Sequence, residues 1–236
     1  LTSRLLSPER GFGYSKPRRT DCSLTPLARN SYLPVHAIIP LSLLEALRNL
    51  DTPVEDGLEE LAGEIVSKRL GLSATVAAQI NRYQDAVKKD GRVATDEAIA
   101  VFRLASRRPD AQLVFADAGR RAARYAARSS ALPARALAQV TPSGMGKAIG
   151  ARVATNAARR VLNASLRVGA DGAVAQVPSP LSIHAVPDGG ACSFYGAAFG
   201  ELLRMMTGFE GLMVHDRCRG RGEDACHWRA MPVGGY

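Results

Sequence analysis

Cysteine is scarce in this sequence, aromatics are few and long apolar runs are missing. Each shortage removes a class of protein. The longest apolar run, Ala37 to Leu44, is broken by Pro40 and Ser42, far short of the ~18 residues a membrane-spanning helix needs. Four cysteines in 236 residues are too few for a disulfide-built scaffold, and no secretory-type apolar segment precedes them. The compartment expected is a reducing cytosol, where clustered cysteines point to metal or redox chemistry. No GxGxxG follows a strand, so the dinucleotide fingerprint is missing. Gly144-Met145-Gly146-Lys147 only superficially resembles a phosphate loop, because Thr141 takes the first glycine's place and Ala148 that of Ser/Thr. Tandem repeats are also absent. Acidic residues are outnumbered, 22 against 31 basic, for a net charge of +9. The basic region from Arg120 to Arg167 carries neither a run of interleaved aromatics nor a nucleic-acid motif, so its arginines read as a solvated surface and no nucleic-acid partner is expected.

What is present is globular: 46% hydrophobic and 22% charged residues, enough chain to bury a core without staples. Residues 1–30 hold six basic residues and two acidic ones and no apolar periodicity. They read as a basic flexible extension, with the composition of an organelle transit peptide or of a plain bacterial tail. Residues 31–236 read as the folded domain. Leucines at 41, 44, 47 and 50 predict a helix stopped at Asp51-Thr52-Pro53. A second helix is predicted over Val54 to Leu70, and a third, capped by Ser73, to Asp90-Gly91. Another opens at Thr95 and ends near Pro109. Asp110 then caps a long helix to about Ser129, Pro133 starts a short one to Val140, and an alanine-rich helix covers 145–162. Segments 164–168 and 173–177 flank Gly169-Ala170-Asp171-Gly172 as a hairpin. Pro178, Pro180 and Pro187 mark a loop, Ser193 to Thr207 a helix, and Leu212–Cys218 and Ala225–Met231 two strands. The order predicts an α+β fold, helices packed on a small twisted antiparallel sheet.

Three of the four cysteines and two of the four histidines fall in the order Cys192, His215, Cys218, Cys226, His227. His215 and Cys218 are three apart, and Cys218 and Cys226 enclose a polar loop that a hairpin can close. Zinc takes four nitrogen or sulfur ligands in a tetrahedron, which such thiolates with one histidine supply. Cys192 precedes a helix long enough to return the chain alongside the hairpin. Spacing alone leaves three readings open: a metal site, a Cys218–Cys226 redox disulfide, or three inert buried thiols. Four protein ligands would close the metal's shell and make it structural. Strand alternation puts His215 opposite Asp216, the weaker ligand candidate.

The stretch Cys192-Ser193-Phe194-Tyr195-Gly196, then Phe199-Gly200-Glu201-Leu202-Leu203, His215-Asp216-Arg217-Cys218 and Gly222-Glu223-Asp224-Ala225-Cys226-His227-Trp228 resembles the C-terminal part of a V4R (4-vinyl reductase) domain. In that family an acidic residue three before a cysteine, that cysteine and another eight residues on bind zinc, completed by an upstream cysteine. Here His215 stands where the family usually has Glu, and Cys192 lies where the upstream ligand would be. Val35-His36-Ala37-Ile38-Ile39-Pro40, Asp117-Ala118-Gly119-Arg120-Arg121-Ala122-Ala123-Arg124-Tyr125 and Leu132-Pro133-Ala134-Arg135-Ala136-Leu137 resemble the bacteriochlorophyll 4-vinyl reductases of photosynthetic bacteria. The likeness covers residues 35–232. It implies a fold shared with Bet3-type transport-complex subunits, a structural zinc, and a hydrophobic pocket for a chlorophyllide-type tetrapyrrole. It also implies dimerisation through the helices and contact with bacteriochlorophyll-pathway enzymes. The place it implies is cytoplasmic, peripheral at the photosynthetic membrane.

Such a ligand is flat, apolar and carboxylated. Phe102, Phe115, Tyr125, Tyr195, Phe199 and Met205 are the candidates for its slot, His36 and His184 for axial ligands, and Arg120, Arg121 and Arg124 for its propionates. Core packing, a satisfied polar group and a solvated helix face are the respective ordinary roles. Vinyl reduction needs an electron donor that the sequence gives no sign of binding, and zinc is redox-inert. The expectation is therefore a carrier of a chlorophyllide-type intermediate, with a 4-vinyl reductase using an external donor as the alternative. A small-molecule sensor acting through a partner protein is the third reading.

Overall fold

A computed structural model of the chain describes residues 33–52, 70–140, 143–169 and 172–232. The helix expected over 54–70 falls almost wholly outside them, as does the extension 1–30. Residues Tyr32–Tyr236 form one compact unit.

Helix α1 spans Ile38–Asp51, starting three residues before the leucine repeat. Pro40 sits in its first turn, where a missing N–H loses nothing. The His36 side chain takes the place of a cap, its Nδ1 accepting from the Ile38 N–H at 3.2 Å. Ten of its residues are buried, so α1 is an interior helix. Ser73 caps α2 (Ala74–Lys88) as expected, its hydroxyl accepting from the Val76 N–H. Helix α3 covers Thr95–Ser106.

The expected break at Pro133 does not occur. Helix α4 runs unbroken over Ala111–Val140, because the alanines and leucines around the proline favour helix enough to absorb one lost hydrogen bond. Nor does the Asp110 carboxylate cap it; Arg108 holds that group at 2.7 and 2.8 Å. Helix α5 spans Ser143–Leu162. Ala118, Ala122 and Ala126 on α4 and Ala154, Ala157 and Ala158 on α5 are completely buried, and their small side chains let the helices approach closely.

The predicted hairpin is β3 (Ser165–Gly169) with β4 (Gly172–Val177). Within the proline-marked loop lies a short helix α6, Leu181–Ala185. Helix α7 covers Ser193–Thr207 and ends on Gly208 in the left-handed region, φ 70°. β5 is Gly211–Arg217 and β6 Cys226–Pro232. The sheet order is β3-β4-β6-β5, every pair antiparallel. The last strand thus enters between β4 and β5 and leaves β5 at an edge. A two-residue pairing of β1 (Val35–His36) with β2 (Arg92–Val93) is too short to leave a periodic signal. The mixed architecture is compatible with α+β. Among the described residues no helix is long and apolar enough to cross a membrane.

A chain of aromatic rings joins the layers. Phe102 on α3 meets Phe115 on α4 and Phe194 on α7, at centroid distances of 5.8 and 5.2 Å. Tyr195 and Phe199 continue it to Trp228 on β6, at 5.7 and 5.4 Å. Glycine is required at Gly119, where an added Cβ would overlap the Phe194 carbonyl oxygen, so α4 and α7 touch backbone to backbone.

Candidate metal centre

Cys218 directly follows β5 and Cys226 opens β6, with a 3-10 turn, Arg219–Arg221, between them. That turn aims the Arg219 N–H at the Cys226 sulfur, 3.3 Å away. Cys192 is delivered from the other side by the 3-10 turn Gly190–Cys192 that leads into α7. His215 lies on the inner face of β5, and Asp216 is exposed, as alternation required.

The structure brings all four expected residues together. One donor atom each from Cys192, His215, Cys218 and Cys226 lies within 4.8 Å of all the others. The three cysteines are free and buried, and 4.0 Å separates the Cys218 and Cys226 sulfurs. The disulfide alternative therefore does not describe this state. Zinc–sulfur bonds of about 2.3 Å at tetrahedral angles give a sulfur–sulfur edge of about 3.8 Å. The observed pair already has that spacing, and the whole set reaches it by contracting roughly 1 Å.

Three further features suit a metal. His215 Nε2 is buried without a hydrogen-bond partner among the described residues. Its ring lies flat on Trp228, 4.6 Å between centroids at 13°, which fixes the imidazole plane. Charge on sulfur is supported as well. The Cys192 thiol beside it, followed by His215 and the Arg219 N–H, pulls Cys226 down to about 4 against the effect of burial. Cys226 and burial together push Cys192 up. The buried Ser182 hydroxyl lies 3.3 Å from the Cys192 sulfur, and the Leu181 N–H donates to the buried Tyr195 hydroxyl, tying α6 to the site. Gly189, at φ 84°, leaves the cluster its room: an added Cβ would stand 2.8 Å from the Cys218 sulfur. Ser182 and Gly189 had no sequence signal, since neither is of a metal-binding type, and Trp228 stood in the quoted Gly222–Trp228 stretch without an assigned role.

The six slot candidates lie elsewhere. Phe102, Phe115, Tyr195 and Phe199 are fully buried against one another or their neighbours. The Tyr125 hydroxyl donates to Glu45, and burial with that carboxylate pushes it up to about 12. Met205 is half-buried against the core. His36 uses both ring nitrogens, Nε2 facing Asp90 at 3.0 Å. His184 Nε2 meets the Ser179 hydroxyl at 2.8 Å. Arg121 pairs with Asp117, and Arg124 with Glu201. A cavity of about 630 Å³ opens instead between α4, α7 and edge strand β5, reaching Cys192, His215 and Trp228 and, farther along, Arg120 and Arg204.

Comparison with protein-family models, curated proteins and solved structures gives no match.

Proposed function

We propose that the chain is a zinc-stabilised small-molecule-binding protein of V4R type, and that it carries a chlorophyllide-type tetrapyrrole between the enzymes that make bacteriochlorophyll. The observation that carries this reading is the Cys192–His215–Cys218–Cys226 cluster, which occupies the positions of the family's zinc ligands with His215 in place of the usual Glu. Three sulfurs and one imidazole favour zinc over the oxygen-seeking cations. A bound zinc would join the start of α7 to the β5–β6 hairpin and stabilise the fold; with four protein donors it keeps no open position for substrate. The protein's own contribution is then binding, and the 630 Å³ cavity lies within the ordinary range of small-molecule sites.

The test is titration of the purified protein with chlorophyllide, with and without a chemical electron donor. Saturable one-to-one binding without donor, and unchanged pigment with it, is the expected outcome. Turnover of the 4-vinyl group on adding donor would replace the carrier by the reductase. Absence of binding would remove the pigment and leave the sensor reading.

A further inference from the structure

Gly200 occupies the middle of α7, where glycine is among the poorest helix formers. Packing supplies no reason for it. The nearest atom to an added Cβ is the flexible Met213 Cγ, at 4.0 Å, quite unlike the overlap at Gly119. What Gly200 borders is the cavity between α4, α7 and β5, together with Gly196, Ala197 and Ala116. These four make a wall almost without side chains, along which α7 runs about 16 Å from Ser193 to Arg204.

The neighbouring charges are unbalanced. Glu201 accepts from both Arg124 and Arg204 at 2.9 Å, a trio with one positive charge left over. Asp117 is taken by Arg121 at 2.7 Å, and Arg120 approaches it only to 4.0 Å, leaving a second. Arg120 lines the cavity with its side chain 45% exposed and is the least committed of the four cations. A flat wall and a half-exposed guanidinium only loosely held by Asp117 recognise a planar apolar molecule that bears a carboxylate.

We propose that this groove is the ligand site, with the carboxylate on Arg120 and the ring system along Gly196 and Gly200. The inference rests on the ligand-binding reading above and adds to it a place and an anion grip, both outside the buried aromatic chain.

The test uses the full chain, chlorophyllide and its methyl ester, and pigment fluorescence. Gly200→Leu favours the helix and fills the groove, so the fold and metal content should survive, read by circular dichroism and elemental analysis. It should weaken chlorophyllide binding at least about tenfold. Arg120→Ala should weaken binding of the acid by about 10–100-fold, the range of a lost charge-assisted bond, and leave binding of the ester within about twofold. Arg120→Lys should restore part of the loss. Wild-type binding unaltered by Gly200→Leu would overturn the groove while the carrier reading stood. An equal loss for acid and ester in Arg120→Ala would overturn the anion grip. No wild-type binding of either pigment would overturn the carrier reading and this inference with it.

Discussion

Gly189→Ala is the substitution whose effect the metal centre most sharply defines. The residue sits at φ 84°, and an L-residue in the left-handed region costs about 1–2 kcal/mol. A second effect is specific to the site. The new Cβ would lie 2.8 Å from the Cys218 sulfur, where ordinary contacts are 3.5–4.0 Å, so the sulfur or the turn must shift by roughly 1 Å. Metal–ligand distances tolerate only about 0.2 Å. A loss of about 10–100-fold in metal affinity, the scale of second-sphere lesions, subtracts about 1.4–2.7 kcal/mol from the metal-loaded protein at saturating metal. The loaded variant should therefore lose about 2.5–4.5 kcal/mol and the chelated one about 1–2 kcal/mol. In a domain this size each kcal/mol shifts Tm by about 2–4 °C. Gly208→Ala is the control, because Gly208 is left-handed at φ 70° with nothing within 4 Å of an added Cβ. The assay is thermal unfolding of both variants, zinc-loaded and chelated. Equal Tm losses for Gly189→Ala in the two states would refute the coupling of that glycine to a metal.

Three other outcomes are expected. Cys218→Ser and Cys226→Ser should each lose the metal by elemental analysis and lower Tm by more than Gly189→Ala does; full metal content in both would contradict the site. His36 is held below its ordinary value, chiefly by burial, and its Nδ1 must stay unprotonated to accept from Ile38. The unfolded chain therefore takes up the proton first, and the contribution of His36 is present above about pH 6.5 and lost as pH falls below it; unfolding titrations of His36→Gln that keep the wild-type slope there would contradict this. Arg108→Met should destabilise by about 3 kcal/mol, since Arg108 bonds Asp51, 3% exposed, at 2.8 Å. Chemical denaturation measures it, and a loss under ~1 kcal/mol would show the pair to be a weak surface type.

Elements whose causes are local were legible in the sequence. The Ser73 cap, the Ser193–Thr207 helix with Gly208 after it, and both hairpins follow from neighbours within a few residues. His215, Cys218 and Cys226 were legible for the same reason, because a hairpin of fixed length sets their distance. Cys192 needed the length of α7 as well. The aromatic chain was not legible, because a packed core and a ligand slot impose the same apolar spacing on helices. Phe102 and Phe199 acquire a role only once α3, α4 and α7 are assembled. The groove escaped for the opposite reason: it is bordered by glycine and alanine, which carry no periodic signal. The β1–β2 pairing joins residues more than fifty apart, and Pro133 was outweighed by its neighbours.

Elemental analysis of the purified full chain, paired with thiol titration before and after chelation, tests the metal centre most directly. About one zinc per chain is expected, with Cys192, Cys218 and Cys226 protected until the metal is removed and Tm falling when it is. Metal-free protein whose Tm is indifferent to added zinc and to chelator would contradict the centre and the reading built on it.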